Sequence, residues 1–155
     1  MIALAKHKTL QKRLKNIDFI YGDVAKMPFG KEEFDGITIA FGFRNLTFEN
    51  PDVQNHLKEM NRILKREGKL IILESGIPTQ SFVRLIYKFY LTCVLIPLGG
   101  IISGSWHAYR YLAKSSGNFF NLPEVDQLLT DYGFKVLESK RYFMGAANLV
   151  IAEKQ

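Results

Sequence analysis

Two adjacent residues, Arg44 and Asn45, stand where an apolar run from Phe34 to Phe41 breaks at Gly42. Arginine presents a rigid cationic fork to an oxyanion, and the amide beside it can donate or accept. The competing reading pairs Arg44 locally with Glu49 or Asp52. Asp23 is a second candidate, because it follows the strand-like Ile17-Asp18-Phe19-Ile20-Tyr21 and precedes the irregular stretch 24–29. A carboxylate so placed can accept a hydrogen bond from an adenine amino group, or simply close a turn. His107, beside Trp106, is either a general base or a structural histidine. No metal-ligand cluster, Ser-His-Asp set or Walker loop is present, which disfavours a nucleophile-based hydrolase.

The elements that must carry these residues follow from periodicity. Apart from Asp35 and Gly36, residues 34–41 are apolar or β-branched, which predicts a strand buried on both faces whose carboxyl end delivers Arg44 and Asn45. Ala3, His7, Leu10 and Leu14 mark one face of a helix over 2–14 that begins without a capping residue. A strand at Ile17–Tyr21 follows. Asn50 and Pro51 open a helix with Val53, Leu57, Met60 and Leu64 inward, which closes at Glu67-Gly68 with Gly68 left-handed. Residues 69–73 form a buried strand ending in Glu74-Ser75.

Residues 79–96 are helical and unusually apolar, with Phe82, Leu85, Ile86, Phe89, Cys93 and Ile96 on one face and Arg84 and Lys88 as a basic stripe. Pro97, Gly99 and Gly100 interrupt the uncharged run that follows, so a helix over an apolar pocket or at a membrane surface is favoured over a membrane span. A further helix covers 106–116 with Tyr109, Leu112 and Ala113 inward. Asn121 and Pro123 start another, ended by Gly133. Residues 134–142 and 148–153 form a terminal antiparallel hairpin. The order is an α/β alternation within a single domain.

Charge is unevenly placed. The positive excess behind the net +6 is confined to residues 1–15 and to residues 75–123, where Arg84, Lys88, Arg110 and Lys114 occur without any acid. A nucleic-acid partner is not expected, since no motif accompanies the cations; a membrane surface or lipophilic ligand fits the second segment. The single cysteine, Cys93, reads as a small buried hydrophobe, and a reducing cytoplasmic compartment is the default.

Taken together, Gly22-Asp23-Val24 with Met27-Pro28-Phe29, the run Phe34 to Asn45 with its Phe-Gly-x-Arg-Asn signature, Arg62 to Gly68, and Tyr109 to Ser115 resemble the S-adenosylmethionine-dependent C-methyltransferases of ubiquinone and menaquinone synthesis, demethylmenaquinone methyltransferase-like. The likeness extends over essentially the whole chain. It implies an α/β Rossmann-like class I methyltransferase sheet lacking its first two strands, with a C-terminal antiparallel hairpin, in a chain truncated ahead of Met1. The two strands would fall between Ile17–Tyr21 and Phe34, leaving apolar edges that self-association or strand swapping fills. The resemblance further implies S-adenosylmethionine as cofactor, with Asp23, Val24 and Ala40 against it. Arg44, Asn45 and Tyr111 face the substrate, a polyprenylated quinol whose ring carbon is methylated, with Arg44 and Asn45 catalytic. The helical segment 79–117 becomes a cap over the substrate side, in peripheral contact with the inner face of the membrane. The alternative is a noncatalytic remnant that binds a quinone, a membrane or a partner subunit.

Overall fold

The computed structural model describes residues 2–117 and 121–155; Met1, on which the expectation of an internal start rests, lies outside them. Its elements are α1 (Ile2–Gln11), β1 (Phe34–Ala40), α2 (Phe43–Thr47), α3 (Val53–Ile63), β2 (Leu64–Ser75), α4 (Ser81–Phe89), a π-helical turn (Tyr90–Leu95), α5 (Ile96–Ser103), α6 (Trp106–Gly117), α7 (Leu122–Asp131), β3 (Phe134–Tyr142) and β4 (Ala147–Lys154). The four strands form one sheet in the order β1-β2-β4-β3. β1 and β2 are parallel, whereas β4 runs antiparallel to both its neighbours.

Only one face of this sheet is covered. Leu70, Ile72, Val150, Ala152 and Phe134 are buried against Phe43 of α2, Leu57 and Met60 of α3, and Val125 and Leu129 of α7. Side chains alternate along a strand, so Thr38, Ile71, Leu73, Leu149 and Ile151 point to the other face, where none is buried. The expectation that β1 is buried on both faces is therefore corrected: its pattern alternates, and Thr38 and Ala40 are exposed. β1 is also an edge. Ile17–Tyr21 forms no strand, because no neighbour among the described residues offers it a ladder of hydrogen bonds.

Helix boundaries show similar corrections. α1 stops at Gln11, after which Arg13 turns left-handed (φ 54°), and its expected inner face is exposed at Ala3, His7, Leu10 and Leu14. The half-buried side is Ile2, Ala5 and Thr9. Asn50 accepts from the Asp52 backbone at 2.9 Å and forms a turn, so α3 starts at Val53 behind Asp52. α3 ends at Ile63 because Leu64 already pairs with Phe34 at the start of β2. Glu67, not Gly68, takes the left-handed conformation (φ 61°) in the bulge that follows. Gly68 is needed for a different reason, since a Cβ there would sit 2.8 Å from the Lys65 carbonyl oxygen.

The C-terminal part follows its local signals closely. Asn121 and Glu124 form a reciprocal capping box at the start of α7, and Gly133 (φ 80°) ends it. The hairpin of β3 and β4 is present as expected. The apolar helix departs most: it runs without a break from Ser81 to Ser103. The wide π turn lies immediately ahead of Pro97, which has no N–H to donate and whose ring crowds the preceding turn of a regular helix. Gly104 (φ 70°) then reverses the chain into α6. Gly99 and Gly100 let the two helices touch, since a Cβ on either would overlap the rings of Tyr109 and Trp106.

Candidate active site

The carboxyl ends of β1 and β2 lie side by side, and both contribute charged groups. After Ala40 the chain turns through Phe41 (φ 53°) and Gly42 into α2, whose first residue, Phe43, is fully buried. That anchor fixes Arg44, itself only 5% exposed. Its backbone N–H donates to Glu74 Oε2 at 3.1 Å, and its guanidinium Nη1 lies 3.6 Å from Glu74 Oε1. Nη1 also donates to Ser75 Oγ and Ser116 Oγ, each at 2.7 Å. Glu74, 2% exposed, further accepts from the Ser75 backbone N–H and hydroxyl at 2.9 Å. A buried guanidinium is tolerable only when its charge and hydrogen-bonding capacity are met, and here Glu74 supplies the charge. One donor is left over: Arg44 Nε is buried with no partner.

Arg44 forms part of the wall of a cavity of about 350 Å³ between the sheet ends and the α4–α6 helices, with Ser75, Tyr87, Leu91, Leu112 and Ser116. Burial pushes the Tyr87 phenol above its ordinary value of 10.0, against the lowering effect of the Arg44 charge. Its hydroxyl is thus a neutral donor at any physiological pH. The local pair expected of Arg44 is not made; Glu49 instead pairs with Lys114 at 3.0 Å. Cys93 and His107 are exposed on the helical segment, so neither the buried-thiol nor the general-base reading holds at this cavity.

Asn45 points elsewhere. It is exposed and lines a second, largely apolar cavity of about 760 Å³ with Gly22, Val24, Met27, Ile37 and Ile39. The segment carrying Val24 is clamped to α3, because Glu59 Oε2 accepts from the Met27 N–H at 3.2 Å and Arg62 Nη2 donates to the Met27 carbonyl at 3.3 Å. Asp23 lies at its rim, its Oδ1 accepting from the Ala25 backbone at 2.9 Å; the turn-forming role is made, and the other carboxylate oxygen remains available. Val24 and Asn45 are therefore brought together with Asp23 adjacent. Ala40 is not, because Ile39 lines this cavity and Ala40 faces the opposite side of the sheet. Tyr111 is 42% exposed and lines neither cavity; Leu112 and Ser116 of the same helix take the place expected of it.

Glu74, Ser75, Tyr87 and Ser116 were not singled out from the sequence. Glu74 and Ser75 carried the same signal that drew attention to Arg44, a polar pair ending an apolar strand. Tyr87 and Ser116 carried none, since only packing brings α4 and α6 to the sheet. No group of three metal-ligating side chains occurs among the described residues.

A family model described as the ubiE/COQ5 methyltransferase family matches residues 1–154. The demethylmenaquinone methyltransferase of Thermotoga maritima is 42% identical over 134 residues, covering 86% of this chain and 57% of that protein. Those of Geobacillus sp. and Staphylococcus haemolyticus are 33% and 34% identical over the full 155 residues, which cover 64% and 62% of those proteins. The chain thus spans about three-fifths of the length of these relatives. Among solved structures, a SAM-dependent methyltransferase from Aquifex aeolicus superposes with a TM-score of 0.63 at 19% identity, over 97% of this chain and 62% of that one. Another from Methanosarcina mazei gives 0.61 at 17%, over 99% and 76%. The structural likeness establishes the shared Rossmann-like fold, and the sequence match establishes descent: the chain belongs to the ubiE/COQ5 methyltransferase family.

Proposed function

We propose that this chain carries the substrate-recognising portion of an S-adenosylmethionine-dependent C-methyltransferase acting on the ring of a polyprenylated quinol, with demethylmenaquinol as the acceptor suggested by the names of its relatives. The observation that carries the reading is Arg44 Nε, a buried cationic donor without a partner in the wall of the 350 Å³ cavity. A phenol ring becomes nucleophilic at carbon when its hydroxyl loses a proton, and a fixed cation beside the oxygen stabilises that phenolate. Arg44 is held rigidly for this task by Glu74, Ser75 and Ser116. Tyr87, kept neutral, is a second donor to a ring oxygen.

The residues of the 760 Å³ cavity fit part of the cofactor. Asp23 offers a carboxylate oxygen to an adenine amino group and Val24 an apolar contact, with Ile39 in the place expected of Ala40 at the end of β1. Among the described residues no cation lines the cavity to meet a carboxylate. When bound, S-adenosylmethionine supplies an electrophilic methyl group. Asn45, next to Arg44 in α2 but lining this cavity rather than that of Arg44, meets the cofactor side, and Leu112 and Ser116 rather than Tyr111 supply the α6 wall on the acceptor side.

The test is transfer of labelled methyl to demethylmenaquinol in detergent. Arg44→Lys, which keeps the charge but not the fork, is expected to lower kcat by about a hundredfold, in the range for losing one preorganised donor. A second reading, a noncatalytic form that binds a quinone or a partner, is favoured by the half-covered sheet face. Quinol uptake that quenches Trp106 and weakens in Arg44→Lys, without methyl transfer, selects it. Neither uptake nor transfer overturns both.

A further inference from the structure

The helix from Ser81 to Ser103 turns its more apolar side away from the protein. Phe82, Leu85, Ile86 and Phe89 recur at three- and four-residue spacing, hence on one face, and are 73%, 67%, 51% and 64% exposed. Val83, Tyr87 and Leu91 face inward instead. Ile101 and Ile102, 71% and 83% exposed, extend the surface along α5. The β3–β4 turn adds to it: Phe143 and Met144 are 83% and 61% exposed, both left-handed (φ 49° and 57°). The Met144 carbonyl accepts from the Thr79 N–H at 3.2 Å, which holds this turn at the base of α4. Bulky residues rarely adopt that backbone conformation, and here two of them present apolar side chains to solvent.

A cationic cavity of about 410 Å³ borders the same helix. Lys88, Arg110 and Lys114 line it together with Leu91, Ile96 and Ala113, and no acid does among the described residues. Lys114 is engaged with Glu49 at 3.0 Å. The whole segment 75–123 contains no acidic residue, so the surface is apolar at its centre and cationic at its flank.

We propose that this face docks on an anionic phospholipid bilayer, with Phe82, Phe89 and the Phe143-Met144 turn among the acyl chains and the Lys88–Arg110 cavity on a lipid phosphate. Charge complementarity selects the occupant: two copies of an acid-free cationic surface repel each other, whereas phosphate headgroups lie at the depth of the flanking cations. The helix lies in the plane of the membrane rather than crossing it. Arg84 in its first turn donates to the carbonyls of Pro78 and Thr79, and Gly104 folds α6, with Arg110 and Lys114, back along it. The proposal rests on the quinol reading only in that a polyprenyl substrate gives docking a purpose.

The experiment mixes the protein with vesicles of phosphatidylcholine alone and of equal parts phosphatidylcholine and phosphatidylglycerol, both free of quinone, so that its outcome is independent of methyl transfer. Co-sedimentation with the anionic vesicles only, and a blue shift of Trp106 emission, are expected. Lys88→Glu with Arg110→Glu weakens the partition about tenfold or more, following the contribution of basic residues at an anionic surface, and added salt does the same. Phe82→Ser with Phe89→Ser abolishes it while circular dichroism is retained. Equal partition into neutral vesicles, or insensitivity to the charge reversals, overturns the proposal. So does a dimer that Phe82→Ser with Phe89→Ser dissociates in the absence of vesicle binding.

Discussion

The two faces of the sheet are built from similar residues and have different fates. Leu70, Ile72, Val150 and Ala152 are buried beneath α2, α3 and α7; their immediate neighbours Ile71, Leu73, Leu149 and Ile151, one residue away and equally apolar, are only half covered. Strand residues alternate between faces, so an apolar strand records that both sides expect cover, not that both have it. The covered face also carries the candidate site. Glu74 continues the parity of Leu70 and Ile72 and meets Arg44 where that face ends.

Loss of charge balance at that end is expected to have the largest effect. Glu74→Gln leaves Arg44 buried without its counter-charge, a situation that costs about 3–5 kcal/mol. Urea denaturation should show the loss, and Arg44→Met introduced with it should recover much of the stability while leaving methyl transfer abolished. Recovery is the decisive arm, because a Glu74 that acted only through packing would not be rescued by removing the cation.

Next in size is the comparison of faces itself. Ile72→Ala, at a site 1% exposed, should lower stability by about 3 kcal/mol, whereas Ile71→Ala, the next residue, should cost under about 1 kcal/mol. Equal losses at the two sites would mean that the second face is covered in solution, by another copy of the chain. The unequal losses are those of dilute protein; at high concentration the free edge of β1 and the half-covered face favour self-association. Sedimentation should show it, and Ile151→Lys should raise the monomer fraction with little change in the unfolding midpoint of the monomer.

The same contrast explains what could be read from the sequence. Where a signal is local, it held: the Asn121–Glu124 capping box, the stop at Gly133 and the β3–β4 hairpin depend on residues a few positions apart. Arg44 was legible because an apolar strand that ends in a cation is a local pattern as well. Readings that needed a distant partner failed. Ile17–Tyr21 has strand composition but no ladder, and the 81–103 helix is amphipathic in a way that identifies two sides without saying which one the protein covers. Pro97, Gly99 and Gly100 resemble helix breakers in sequence. In the structure they are accommodated by a π turn and by the rings of Trp106 and Tyr109, neither of which follows from the local composition.

The smallest expected effect lies at the border of the covered face, where Glu59 ties the Val24 segment to α3. Hydrogen bonding to Arg62, more than its bond from the Met27 N–H, holds the Glu59 carboxyl below its ordinary value of 4.5 despite the opposing effect of burial. A depressed carboxyl contributes stability that is fully present above that ordinary value and is lost as pH falls through the lowered one. The pair is partly solvated, so screening limits the contribution to about 1 kcal/mol or less. Acidification should therefore loosen residues 22–29 before the sheet, seen as faster amide exchange at Met27 while Leu70 and Val150 stay protected. Glu59→Gln should reproduce that exchange at neutral pH and remove most of its acid dependence. Because Met27 and Val24 line the same cavity, the variant should weaken adenosine binding there while leaving Arg44 and its partners undisturbed, which separates the two sides of the site by a single hydrogen-bonded pair.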